Sequence, residues 1–136
     1  MFRRRSFIKS SSLIAGGLVL PKLTFKSKKS NQKKIKIAVV GCGGRGSGAI
    51  VEALRADDNT ELIAMADAFE DRLEMSLNAI KDEFAGEKEI NIKEKNKFVG
   101  FDAYKKAIDK SDVVILASPP GFRPSHFDYA INKNKH

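Results

Sequence analysis

Residues 35 to 67 run strand, glycine turn, helix, strand and acid, and that order leaves few folds open. Ile35-Lys36-Ile37-Ala38-Val39-Val40 is a short, mostly β-branched apolar run, as a strand covered on both faces of a parallel sheet requires. Gly41-Cys42-Gly43-Gly44-Arg45-Gly46 follows without a gap. Beyond the turn, Ala49, Ile50, Ala53 and Leu54 recur at helical spacing and define one apolar face. Glu61 to Ala66 reads as a second buried strand, and Asp67 stands at its carboxyl end, 21 residues past Gly46. That offset is close to the roughly 20 residues that separate glycines from acid in a dinucleotide-binding βαβ unit.

Each position has a physical task in such a unit. Gly41 permits the sharp exit from the strand, Gly43 keeps a Cβ out of the path of a pyrophosphate, and Gly46 lets helix and strand pack closely. Phosphates would rest on the unpaired N–H groups of the helix. Asp67 would accept hydrogen bonds from ribose hydroxyls and repel a 2′-phosphate, so NAD is favoured over NADP. The competing reading is a glycine-rich turn that binds nothing, with Asp67 a helix-capping residue. Arg45 either reaches a phosphate oxygen or is a solvated cation. Cys42 is the chain's single cysteine, so no disulfide can form within it; its place in the turn fits a small residue better than a reactive thiol.

Farther along, Leu73, Leu77, Ile80 and Phe84 lie at helical spacing within Phe69 to Phe84, and Ala85 to Lys97 is charged enough to read as an exposed loop. Phe98-Val99-Gly100 reads as a short third strand, Asp102 to Asp109 as a small helix, and Val113 to Ala117 as a fourth strand. That last run ends in Ser118-Pro119-Pro120-Gly121. In open α/β sheets ligands bind beyond the carboxyl ends of the strands, where strand order reverses. The first and fourth strands would flank that point. Prolines there make a rigid ledge for a nicotinamide or ribose, or Pro124 simply starts a helix; the two are compatible. His126 on that helix is either structural or close to the chemistry.

The formal charge of +8 suggests nucleic acid until its distribution is considered. Residues 1 to 34 hold ten Lys/Arg and no acid, leaving fifteen basic and seventeen acidic residues from Ile35 onward. The basic excess belongs to the N-terminus and to a Lys/Ser/Asn tether, so nucleic-acid binding loses its support. Met1-Phe2-Arg3-Arg4-Arg5-Ser6-Phe7-Ile8-Lys9, followed by the apolar run Leu13 to Leu20, resembles a twin-arginine export signal. The run is shorter than the roughly 20 residues that span a bilayer. No Ala-x-Ala cleavage site follows it, and an ordinary basic amphipathic N-terminus is the other reading.

Four stretches, Ile37 to Gly46, Met65 to Arg72, Phe98 to Tyr104 and Ala117 to His126, together resemble the glucose-fructose oxidoreductase, inositol dehydrogenase and rhizopine catabolism (Gfo/Idh/MocA) family, nearest to its exported members. The resemblance implies a Rossmann-type doubly wound parallel α/β sheet, incomplete at about four strands, over residues 35–136. A twin-arginine signal and basic linker would occupy residues 1–34. It implies NAD as cofactor, held by Gly41, Cys42, Gly43, Gly44, Arg45, Gly46, Asp67, Ser118, Pro119, Pro120 and His126. It also implies a sugar, cyclitol or related polyol as substrate, the twin-arginine translocase as a partner and a homo-oligomeric whole. In the family a Glu-Lys-Pro motif with a catalytic lysine and a substrate domain come later, so the chain reads as the front of a longer protein, with no catalytic or metal-binding residue of its own. Hydride transfer leads among the functions implied, with NAD-dependent glycoside hydrolysis and a non-catalytic nucleotide-binding fragment as alternatives.

Overall fold

In the computed structural model, which describes residues 33–87, 90 and 92–136, strands and helices alternate. The twin-arginine pattern and most of the linker lie outside the described residues. The order is β1 (Ile35–Val40), α1 (Gly44–Ala56), β2 (Thr60–Asp67), α2 (Glu70–Glu83), a 3-10 turn (Glu94–Asn96), β3 (Lys97–Val99), α3 (Ala103–Lys110), β4 (Val113–Leu116) and α4 (Arg123–Asn132). All three strand pairings are parallel, and the sheet order is β3-β2-β1-β4. The chain thus winds outward from β1 to β3 and then returns to lay β4 on the other side of β1. This is the Rossmann-like α/β fold, and β1 with β4 frames the reversal of strand order.

Alternation along β1 builds the two layers. Ile37 and Val39 join one core with Ile50 and Leu54 of α1 and with Leu73, Leu77 and Ile80 of α2. Ala38 and Val40 join the other, where Ala103, Ala107 and Ile108 of α3 meet Ala130 of α4. The stripe on α2 is wholly buried, Phe84 at its end being 3% exposed. Each such aliphatic or aromatic side chain contributes about 1.5–3 kcal/mol relative to exposure. The second layer is lined largely by alanines, which let its helices approach the sheet closely.

Strand β2 breaks its own period. Ile37 pairs with Leu62 but Ala38 pairs with Ala64, so Ile63 is an extra residue. The bulge puts Leu62 and Met65 on one face and Ala64 and Ala66 on the other, which a strict two-residue alternation cannot do. The Ile63 carbonyl accepts a hydrogen bond from Asn96 Nδ2 at 2.9 Å.

The stretch from Ala85 to Lys97 departs from the exposed loop its charge suggests. Ile90 and Ile92 are 9% and 6% exposed and close the end of the first core beside Phe84. Two isoleucines outweigh the surrounding charges because the charged side chains need only their tips in water. The segment ends in the 3-10 turn, and Lys97 already belongs to β3. Its ammonium pairs with Glu74 at 2.9 Å and Glu94 at 2.7 Å.

Candidate functional site

The turn after β1 is held from both sides. Gly41 has a φ of 95°, where side chains are strained, and a Cβ added to it would lie 2.7 Å from both the Ala117 carbonyl carbon and the Ser118 nitrogen. Its own N–H donates to the Ala66 carbonyl at 2.8 Å. A Cβ on Gly46 would overlap the Gly41 carbonyl oxygen, so α1 sits directly on the turn. At Gly43 and Gly44 an added Cβ would meet nothing within 4 Å. The first helical bond runs from Ser47 N–H to Gly43 O at 3.0 Å. The earlier amides of the helix have no intrahelical acceptor. No side chain caps this end, and no acid lies in its first turn, so the positive end of the helix dipole is left for an anion.

Asp67 closes the arrangement. Its Oδ2 accepts the Cys42 N–H at 2.6 Å and its Oδ1 accepts the Phe69 N–H at 3.0 Å. One carboxylate therefore ties the glycine turn to the end of β2, and the spare lone pairs of both oxygens remain available to a ligand hydroxyl. The side chain of Cys42 takes no part: it is 3% exposed, with its thiol donating to the Ala66 carbonyl at 3.5 Å. Burial, and then the charge of Asp67, push that thiol up to about 12, against a smaller lowering by the Ala66 contact. It stays protonated near neutral pH and is no nucleophile. What Cys42 contributes is its backbone N–H.

Between the carboxyl ends of β1, β2 and β4 lies a cleft of about 360 Å³. Of the residues singled out in the sequence, Gly41, Gly43, Asp67, Ser118, Pro119 and His126 line it. Gly46 and Cys42 are buried behind the turn, while Gly44 and Arg45 are exposed at the start of α1 and do not line the cleft. The two prolines part company. Pro119 lines this cleft, whereas Pro120 lines a second, more open cleft with Leu116, Arg123, Pro124 and Phe127. Pro124 also starts α4.

Phe69, Arg72, Phe101, Tyr104 and Phe122 also line the cleft, and none of them stood out in the sequence as a binding residue. The signal was present: Phe101 and Phe122 occupy connections where polar residues are usual, and they remain 70% and 47% exposed. Their ring centroids lie 6.0 Å apart, and a contiguous exposed apolar patch of this kind marks an interaction or ligand surface. His126 is buried, its ring stacked on Tyr104 at 4.1 Å between centroids and its Nδ1 lying 3.0 Å from Ser118 Oγ. Burial pushes its pKa below the ordinary value. Arg123 Nη2 donates to the Ser118 carbonyl at 2.9 Å. Among the described residues no cluster of His, Cys, Asp and Glu is placed to hold a metal ion.

Residues 35–136 match the family described as dihydrodipicolinate reductase, N-terminus. No curated protein matches the chain. It is similar to the structure of scyllo-inositol dehydrogenase from Lactobacillus casei with bound NAD(H) and scyllo-inositol, at 26% identity and a TM-score of 0.51 over 76% of this chain and 27% of that one. The apo form of the same Lactobacillus casei enzyme gives 24% identity and a TM-score of 0.53 over 77% of this chain and 27% of that one. The chain thus spans about a quarter of the length of the solved structures it resembles.

Proposed function

The chain belongs to the family of the dihydrodipicolinate reductase N-terminus, and from that premise we propose that residues 35–136 bind NAD and form the dinucleotide-binding part of an oxidoreductase. The observation that carries the reading is Asp67, tied to both the glycine turn and the start of the next connection by two amide hydrogen bonds. The same cleft holds the open side of Gly43 and the Ser118-Pro119 ledge. The amides of the first turn of α1 would hold the pyrophosphate, and Asp67 would hold the adenosine ribose. When bound, the nicotinamide supplies a hydride acceptor at C4.

The substrate class we propose is a sugar, cyclitol or related polyol, oxidised at a carbinol carbon. Support for it comes from the resemblance of four sequence stretches to the glucose-fructose oxidoreductase and inositol dehydrogenase family and from the likeness to an enzyme crystallised with scyllo-inositol. The matching family is named for a reductase of a different substrate, so the two names share redox chemistry and not the molecule acted on. Export by the twin-arginine route is proposed on the N-terminal pattern alone, and fractionation of cells into cytoplasm and periplasm tests it.

Calorimetry of the full chain with NAD and with NADP tests the cofactor half. NAD should bind about tenfold or more tightly, the equivalent of roughly 1.4 kcal/mol, because the 2′-phosphate faces the Asp67 carboxylate. Absence of binding would overturn the reading. Preference for NADP would give the selection to Arg72, the basic residue on the same cleft wall.

A further inference from the structure

The proposed function gives no task to the hydrogen bond between Ser118 and His126, two residues of the cleft wall. Ser118 is 4% exposed and His126 is 7% exposed, yet both line the cleft. A buried hydroxyl proton needs an acceptor. Among the described residues the partner of Ser118 Oγ is His126 Nδ1, 3.0 Å away. Of the two directions this contact allows, the one in which the hydroxyl donates to the ring leaves the neutral imidazole's own proton on Nε2, and it is the one the proposal takes. With its proton committed, Ser118 Oγ has only lone pairs left to offer.

Resting on the proposed dinucleotide reading, we propose that His126 is a positioning residue: by accepting the Ser118 hydroxyl proton it turns the Ser118 oxygen into a fixed acceptor for a hydroxyl or amide donor of the bound dinucleotide. The placement supports it. Ser118 follows β4 at the reversal of strand order, with its backbone nitrogen against Gly41. The ring is stacked on Tyr104 of α3 at 4.1 Å and faces Phe122 at 6.4 Å, contacts that favour this orientation. The charged groups around the pair are Arg123, which holds the Ser118 carbonyl, and Asp67 and Arg72 elsewhere on the cleft wall. None of them forms an ion pair with the imidazole, so burial lowers its pKa from 6.5.

Protonation would convert Nδ1 from acceptor to donor and reverse the serine hydroxyl, so that it points a proton at a ligand donor. NAD affinity of the full chain should then be level near neutral pH and fall as pH drops through the lowered His126 pKa, below the ordinary 6.5. Two variants separate the nitrogen from the ring. His126→Phe keeps the stack on Tyr104 and removes the acceptor; calorimetry should show NAD bound about five- to tenfold more weakly at neutral pH, with the acid limb gone. His126→Asn keeps an acceptor near the Nδ1 position, loses the ring and cannot titrate; it should recover most of that affinity and also be flat with pH. Ser118→Ala should match His126→Phe, and it decides the matter if either histidine variant fails to fold. Unchanged affinity or an unchanged acid limb in Ser118→Ala overturns the inference, as does His126→Asn binding no better than His126→Phe. Wild-type chain that binds no NAD at any pH overturns the dinucleotide reading itself, an outcome distinct from the other two.

Discussion

Replacing Gly46 with alanine is expected to remove several kcal/mol of stability and, with it, dinucleotide binding. The added methyl would overlap the Gly41 carbonyl oxygen and come within 3.3 Å of the Val39 side chain. Overpacking a fitted site costs about 1–3 kcal/mol and sometimes more. Here the colliding atom is backbone that cannot move aside, because the Gly41 N–H is bound to Ala66 and the next amide to Asp67. Against a typical total of about 5–15 kcal/mol, such a loss is large. Gly43→Ala supplies the contrast: its φ of −80° suits alanine, and nothing lies within 4 Å of the new Cβ. Its stability should stay within about 0.5 kcal/mol of wild type, while NAD binding weakens because the methyl stands where a pyrophosphate would approach. Urea melts followed by NAD calorimetry on both variants check this. A Gly46→Ala protein as stable as wild type would mean that α1 does not rest on the turn.

The contrast shows what local sequence could carry. β1, the glycine turn, α1 and Asp67 are legible because each depends on short-range rules: β-branched runs, glycine where a Cβ has no room, helical spacing. The α2 stripe is legible for the same reason. The bulge at Ile63 is not, since it is defined only by the partner strand, with Ala38 opposite Ala64. Ile90 and Ile92 read as loop because the vacancy they fill beside Phe84 exists only after α2 has docked. In the site, the two prolines look equivalent in sequence, yet backbone direction sends Pro119 to one cleft and Pro120 to another. The role of the Cys42 N–H in holding Asp67 belongs to a backbone atom, on which residue type has no say. The aromatic wall of Phe69, Phe101 and Phe122 gathers three connections that are distant in the chain.

Asp67→Ala should weaken NAD binding by about 1.5–3 kcal/mol, roughly ten- to a hundred-and-fifty-fold, the range for hydrogen bonds to a charged acceptor. Two losses contribute, and they can be separated. The methyl no longer accepts from a ribose hydroxyl, and it also releases the Cys42 and Phe69 amides that the carboxylate holds. The freed Cys42 amide is part-buried, so the variant should also lose about 1–3 kcal/mol of folding stability. Asp67→Asn keeps an acceptor for one amide while discarding the charge. Its melt should fall between wild type and Asp67→Ala, and its NAD affinity should drop less. NADP affinity, by contrast, should rise in both variants, because the like charge facing the 2′-phosphate is gone. That gain should shrink at high salt, since screening already weakens the repulsion in wild type. Calorimetry with both dinucleotides, at low and high ionic strength, reads all of these on folded protein. If Asp67→Ala bound NAD as wild type does while melting earlier, Asp67 would be a structural tie between the turn and β2, and selection against NADP would have to come from elsewhere on the cleft wall.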